Sequence, residues 1–99
     1  MKFRANWRIE QDKWLPILKK WVSLTAEQRA DAGPGVKLIG RWHDTGARTG
    51  VAIFEATEAL ALSRYLARWN PFMDIDIVPV LDDEESAKLA RLTLEDHGA

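Results

Sequence analysis

Residues 2–9 alternate strictly: Phe3, Ala5, Trp7 and Ile9 face one way, and Lys2, Arg4, Asn6 and Arg8 face the other. A period of two marks a strand with one apolar face. The spacing then changes. Trp14, Leu15, Leu18, Trp21 and Val22 recur at helical intervals. They predict a helix to about Ser23, capped by Asp12, with Pro16 in its first turn. Thr25 and Gln28 fit a capping box, so a short extra turn is expected over 26–30. Gly33-Pro34-Gly35 reads as a loop. Residues 36–43 form a second strand, a turn containing Gly46 follows, and residues 50–55 form a third. In the third, Val51, Ala52, Ile53 and Phe54 are apolar in succession, which predicts a central place in the sheet. Thr57 is expected to cap a second main helix, with Ala59, Leu62, Leu66 and Trp69 on one stripe and Asn70-Pro71 as its stop. Residues 73–81 form a fourth strand. Asp82 to Glu85 open a last helix to about Leu94, with acidic side chains at its positive end.

The order β-α-β-β-α-β plus a terminal helix predicts an α+β, ferredoxin-like domain over residues 1–94, with 95–99 as a frayed tail. The sheet is expected to have four antiparallel strands and helices on one face only. Its other face then carries the polar set. Arg4, Asn6 and Arg8 come from the first strand, and Asp74 and Asp76 from the fourth. The fourth strand is expected beside the first, pairing carboxylates with arginines. Arg41 and His43 are expected to join this face from the second strand, sharing it with Ile39. A one-residue change of register would reverse every such assignment.

The chain of 99 residues has 46% hydrophobic and 29% charged residues, which is ordinary for one globular domain. Fourteen basic residues against fifteen acidic ones give a net charge of −1, which argues against a nucleic-acid partner. The charge is uneven. Residues 1–48 hold ten basic and five acidic groups, net +5, and residues 49–99 hold four and ten, net −6. Such halves suit complementary patches across a two-fold interface. No cysteine is present, so disulfides, thiolate metal sites and thiol catalysis are excluded together. No stretch without Asp, Glu, Lys or Arg exceeds six residues, and no membrane span is expected. The N-terminal residues are charged where a signal peptide is apolar, so a cytoplasmic setting is expected. Five tryptophans is a rich complement: Trp7, Trp14, Trp21, Trp42 and Trp69. Each can fill a core or line an interface or an aromatic pocket.

Signatures of chemistry are sparse. Gly33-Pro34-Gly35 lacks the lysine and spacing of a phosphate loop. The two histidines stand 54 residues apart, and no metal set is expected. Asp82 to Glu85 suit a helix cap better than a calcium site. His43 is the one well-placed candidate for a general acid or base. Arg4, Asn6, Arg8, Arg41, Trp42 and His43 are the candidate ligand contacts. Arginines beside an amide and an imidazole suit a carboxylate or another anion. Which face Trp42 occupies decides its role. Sharing a face with Trp7 makes it core, and facing a partner makes it a binding wall.

Phe3-Arg4-Ala5-Asn6-Trp7-Arg8-Ile9, the block Lys37-Leu38-Ile39-Gly40-Arg41-Trp42-His43-Asp44, Arg68-Trp69-Asn70 and Pro79-Val80-Leu81-Asp82 together are informative. They resemble a small bacterial family, a domain of unknown function grouped with the dimeric α/β-barrel proteins. The resemblance implies a homodimer whose sheets pack face to face. Relatives in that wider group include cofactor-independent and haem-degrading monooxygenases. The haem-degrading type uses an asparagine, a tryptophan and a later histidine. Asn6 and Trp69 match loosely, but no histidine follows Trp69 before His97, so no haem or other cofactor is expected. The expected function is small-molecule binding by a homodimer, for an aromatic or anionic metabolite in a cavity between the sheets. The alternatives are a monooxygenase-like or isomerase-like enzyme using His43, and a structural or regulatory dimerisation module.

Overall fold

The computed structural model describes residues 1–99. The elements run β1 (Lys2–Arg8), α1 (Gln11–Ser23), α2 (Ala26–Ala30), β2 (Val36–Asp44), β3 (Thr49–Ala56), α3 (Ala59–Leu66), β4 (Asp74–Val80) and α4 (Asp83–Asp96). The strands form one antiparallel sheet in the order β2-β3-β1-β4. This is the ferredoxin-like α+β arrangement with an added C-terminal helix. As expected, β3 is central, and β4 lies beside β1.

The alternation of β1 builds the core. Phe3 and Ala5 are buried, and they pair across the sheet with Phe54 and Ala52 of β3. Leu62 and Tyr65 of α3 cover them, and Ala32 closes the cluster from the loop after α2. Each large apolar side chain held out of water contributes roughly 1.5–3 kcal/mol. The middle of this face is made of small residues, Ala5 and Ala52. Helix α1 therefore meets the sheet through long side chains rather than through close backbone approach.

Several local expectations need correction. Helix α1 begins at Gln11 with Glu10 at its N-cap position, so Asp12 lies inside it and Pro16 sits in the second turn. The buried residue of α1 is Ile17, while Leu15 and Val22 are 73% and 72% exposed. The inward stripe is Trp14, Ile17, Leu18 and Trp21, rotated by part of a turn from the expected one. Helix α3 is capped at Glu58 without a side-chain bond, not by Thr57, and it ends at Leu66 before a run of turns. The β2–β3 hairpin turn falls where it is expected, and its one residue with positive φ, 56°, is Arg48. Arg48 Nε then donates to the Ile9 carbonyl at 3.2 Å, and Ile9 N–H donates to the Arg48 carbonyl at 2.9 Å. These two bonds hold the hairpin mouth against the end of β1.

The largest difference is a β-bulge. Leu38 pairs with Phe54 and Gly40 with Ile53, so Ile39 is an extra residue in β2. A bulge shifts the alternation by one. Val36 and Leu38 face the helices before it, and Arg41 and His43 face them after it, opposite Ala52 and Gly50. Trp42 turns to the open face opposite Val51.

Helix α4 is well specified locally. Asp82 accepts from the Glu85 N–H at 2.8 Å, and Glu85 accepts from the Asp82 N–H at 3.2 Å, completing a capping box. The helix buries no residue, and Leu89, Leu92 and Leu94 remain about half exposed. It projects from the body, and the molecule measures 55 × 29 × 20 Å.

Candidate functional site

The bulge divides the six expected contact residues between the two faces. Arg4, Asn6, Arg8 and Trp42 stand on the open face, and Arg41 and His43 stand beneath the helices. The expected gathering of Arg41 and His43 with Arg4, Asn6 and Arg8 on one face is therefore not found, and Trp42, whose face the sequence left open, stands on the open side. On the open face, Arg8 meets Glu10 at 2.6 Å and Asp74 at 3.4 Å, and Asn6 Nδ2 donates to Asp76 at 3.1 Å. Arg4 lies opposite Val78 and Ile53 with no carboxylate partner. Trp42 is 59% exposed and lies across Gly40, where a Cβ would run into its indole. Between these groups runs an apolar strip of Val51, Ile53 and Val78.

The helix side holds a cavity of about 90 Å³ between the sheet, α1 and α3. Its origin is legible in side-chain size. Ala5 and Ala52 leave the floor low, while Trp7, Trp14, Trp21 and Trp69 raise the walls. Trp7 can lie flat against the sheet because its cross-strand neighbour is Gly50, where a Cβ would occupy the indole's place. Trp21 and Trp69 meet edge to face, with ring centroids 6.1 Å apart, which is a favourable aromatic geometry.

Four ionisable residues line this mostly apolar cavity: Arg41, His43, Asp44 and Tyr65. Arg41 Nη2 donates to the Tyr65 hydroxyl and to the Arg29 carbonyl, both at 3.1 Å. Its guanidinium centre lies 4.8 Å from the centroid of Trp21. Burial lowers the Arg41 pKa, and Tyr65 partly opposes that. His43 rests against Trp7 and Trp21, with centroids 5.6 and 5.5 Å away. Burial lowers its pKa, and the positive charge of Arg41 lowers it further. The imidazole is therefore held neutral at the cavity's edge near pH 7. It can accept a hydrogen bond or a proton there, and Arg41 can donate from Nε and Nη1, which meet no protein acceptor.

Sequence reasoning singled out the tryptophans and His43, but it did not place Tyr65 or Arg29 at a site. Tyr65 carried a usable signal. A tyrosine on a helix's buried face needs a partner for its hydroxyl, and Arg41 is that partner. No group of histidine, cysteine, aspartate or glutamate is arranged to hold a metal ion. No helix is long and apolar enough to cross a membrane.

The fold defines a ferredoxin-like α+β domain with a walled aromatic cavity. The chain belongs to a domain-of-unknown-function family, DUF3303, whose model matches residues 1–93. No curated protein and no solved structure matches the chain.

Proposed function

We propose that this domain binds a small aromatic or anionic metabolite in the cavity beneath α1 and α3. The observation that carries the reading is a mostly apolar, tryptophan-walled cavity with Arg41 half-buried in its wall and His43, Asp44 and Thr49 as the other polar residues of its lining. Ligand sites combine an apolar lining with a few convergent polar groups. The cavity lies within one chain, rather than between two sheets.

The open face supports the homodimer of the dimeric α/β-barrel group. Trp42 and Val78, which are exposed, and Val51 and Ile53, which are half-buried, form an apolar strip rimmed by charge, as interface centres are. In that dimer the sheets pack face to face, and each subunit keeps its own cavity behind its sheet. A cytoplasmic setting accords with a chain that has no cysteine to oxidise.

The test is tryptophan fluorescence during titration with single-ring compounds, neutral and anionic. Binding is expected to quench emission, and Arg41→Gln or His43→Gln is expected to weaken it about tenfold. Undiminished affinity in both variants would remove this choice of site. Native mass spectrometry of the same samples reports the dimer separately.

The neutral state of His43 favours a second reading, a monooxygenase-like or isomerase-like reaction in which its imidazole accepts a substrate proton. A pH–rate profile that His43→Ala leaves unchanged would exclude that role.

A further inference from the structure

We propose that the groove between α1, α2 and α3 is a binding site for the carboxylate or phosphate group of an aromatic ligand. The ligand's ring would occupy the adjoining tryptophan-walled cavity. This rests on the reading of that cavity as a ligand site, and adds to it a second compartment with its own residues.

The groove encloses about 250 Å³ and is lined by Lys20, Gln28, Arg29 and Arg68, with Asp31 as its one acidic residue. It shares Tyr65 and Trp69 with the aromatic cavity, so the two compartments adjoin along one wall. Arg41 stands at that wall, bonded to the Tyr65 hydroxyl and the Arg29 carbonyl. Four cations thus converge on one place in a chain whose net charge is −1.

None of the four has a carboxylate within ion-pair distance. The ion pairs of the molecule join Lys2 to Asp82 and Arg8 to Glu10 and Asp74, all at the other face. Asp31 is turned to the backbone, accepting from the Gly33 N–H at 2.9 Å. The cations rest on aromatic rings instead. Lys20 Nζ lies 5.0 Å from Trp69 and 4.8 Å from Phe72. Arg68 lies 5.8 Å from Tyr65, and Arg29 lies 5.7 Å from Trp21. Cation–π contacts orient such groups without neutralising them.

Backbone carbonyls take up part of their donor capacity. Arg29 Nε and Nη2 both donate to the Leu24 carbonyl at the end of α1, which suits a cation at a helix C-terminus. Its Nη1 has no protein acceptor, and neither do Lys20 Nζ or the Arg68 guanidinium. Like charges brought together beside a low-dielectric wall, with donors to spare, favour an anion between them. The shared Tyr65–Trp69 wall makes the preferred anion one that is joined to a ring.

The experiment measures affinities by tryptophan fluorescence and calorimetry for three probes: phenyl phosphate, phenol and inorganic phosphate. The full chain is compared with Lys20→Gln/Arg68→Gln. Both of these side chains are exposed and hold no backbone carbonyl, and circular dichroism checks the variant's fold. Arg64→Gln, on α3 outside the groove, is the control for general charge. Phenyl phosphate is expected to bind at least about tenfold more tightly than phenol. The double variant should remove that advantage, and Arg64→Gln should keep it. Raising the salt concentration should weaken phenyl phosphate and leave phenol unchanged. Phenol binding as tightly as phenyl phosphate overturns the groove and leaves the cavity standing. Inorganic phosphate binding that only the double variant abolishes, with no binding of either ring, keeps the groove as an anion site. That outcome removes the cavity and the joined ligand. Phenyl phosphate binding unchanged in the double variant, or no binding of any probe, overturns the proposal.

Discussion

The two faces of this sheet use the same device in opposite surroundings. Under the helices, Trp7 lies across Gly50; on the open side, Trp42 lies across Gly40. The first indole is a wall of a cavity and touches His43, while the second is 59% exposed. Their cations differ as well. On the open face Arg8 and Lys2 meet carboxylates. Beneath the helices Arg41 meets a phenol, a carbonyl and an indole. An arginine facing water is easily matched with a surface carboxylate. One facing the interior must be satisfied by the polar atoms that helices and buried aromatics supply. What a strand residue becomes thus depends on its parity, and in β2 the bulge at Ile39 resets that parity.

The contrast can be tested by breaking neighbouring residues on opposite faces. Phe54→Ala should lose about 3–5 kcal/mol of stability in urea denaturation, because the ring is enclosed between the sheet and α3. Its neighbour Ile53 faces the open side. Ile53→Ala should cost only about 1 kcal/mol in a monomer. A larger loss that shrinks toward this value as the protein is diluted would mean that a second subunit covers this face.

The two glycines give a finer comparison. Gly50→Ala forces the Trp7 indole away from the sheet and should cost about 1–3 kcal/mol, with a change in tryptophan emission. Gly40→Ala should cost less, since Trp42 can swing into solvent. Equal costs would mean that Trp42 is as confined as Trp7.

The smallest effect is in the pH dependence. The folded state depresses the His43 pKa, so the unfolded chain binds that proton more readily. The resulting stability is fully present above the ordinary histidine pKa. It is lost as pH falls from there to the folded value. His43→Gln should flatten the stability–pH curve across that window, and a curve of unchanged slope would contradict the lowered pKa of the imidazole.

Much of the frame was legible in the chain. The alternation of β1, the double-sided β3 and both capping boxes, Thr25–Gln28 and Asp82–Glu85, follow from local rules, and the structure matches them. The bulge at Ile39 was not legible. Residues 36–43 contain no local signal that one of them goes unpaired, and the extra residue is recognised only against β3. That single shift moved Arg41 and His43 from the expected open face to the cavity. The α1 stripe was misplaced for a related reason. Trp14, Leu15, Ile17, Leu18, Trp21 and Val22 cover more than half of the helix, so periodicity alone cannot choose the buried edge. The basic groove was invisible because Lys20, Arg29, Arg41 and Arg68 come from four separate segments. Only tertiary packing brings them together.

Helix α4 carries a consequence for how the molecule moves through solvent. A compact domain of this length has a radius of gyration of about 13 Å, whereas this chain has 16.5 Å. The excess comes from a terminal rod standing clear of the body. A single subunit therefore experiences more friction than its 11.3 kDa mass implies. In a gel-filtration column it is expected to elute early, toward the position of a larger globular protein. Removing residues 82–99 shortens the rod and shifts elution by more than the lost mass accounts for. An elution volume alone therefore overstates this protein's size, and light scattering or sedimentation gives its mass directly.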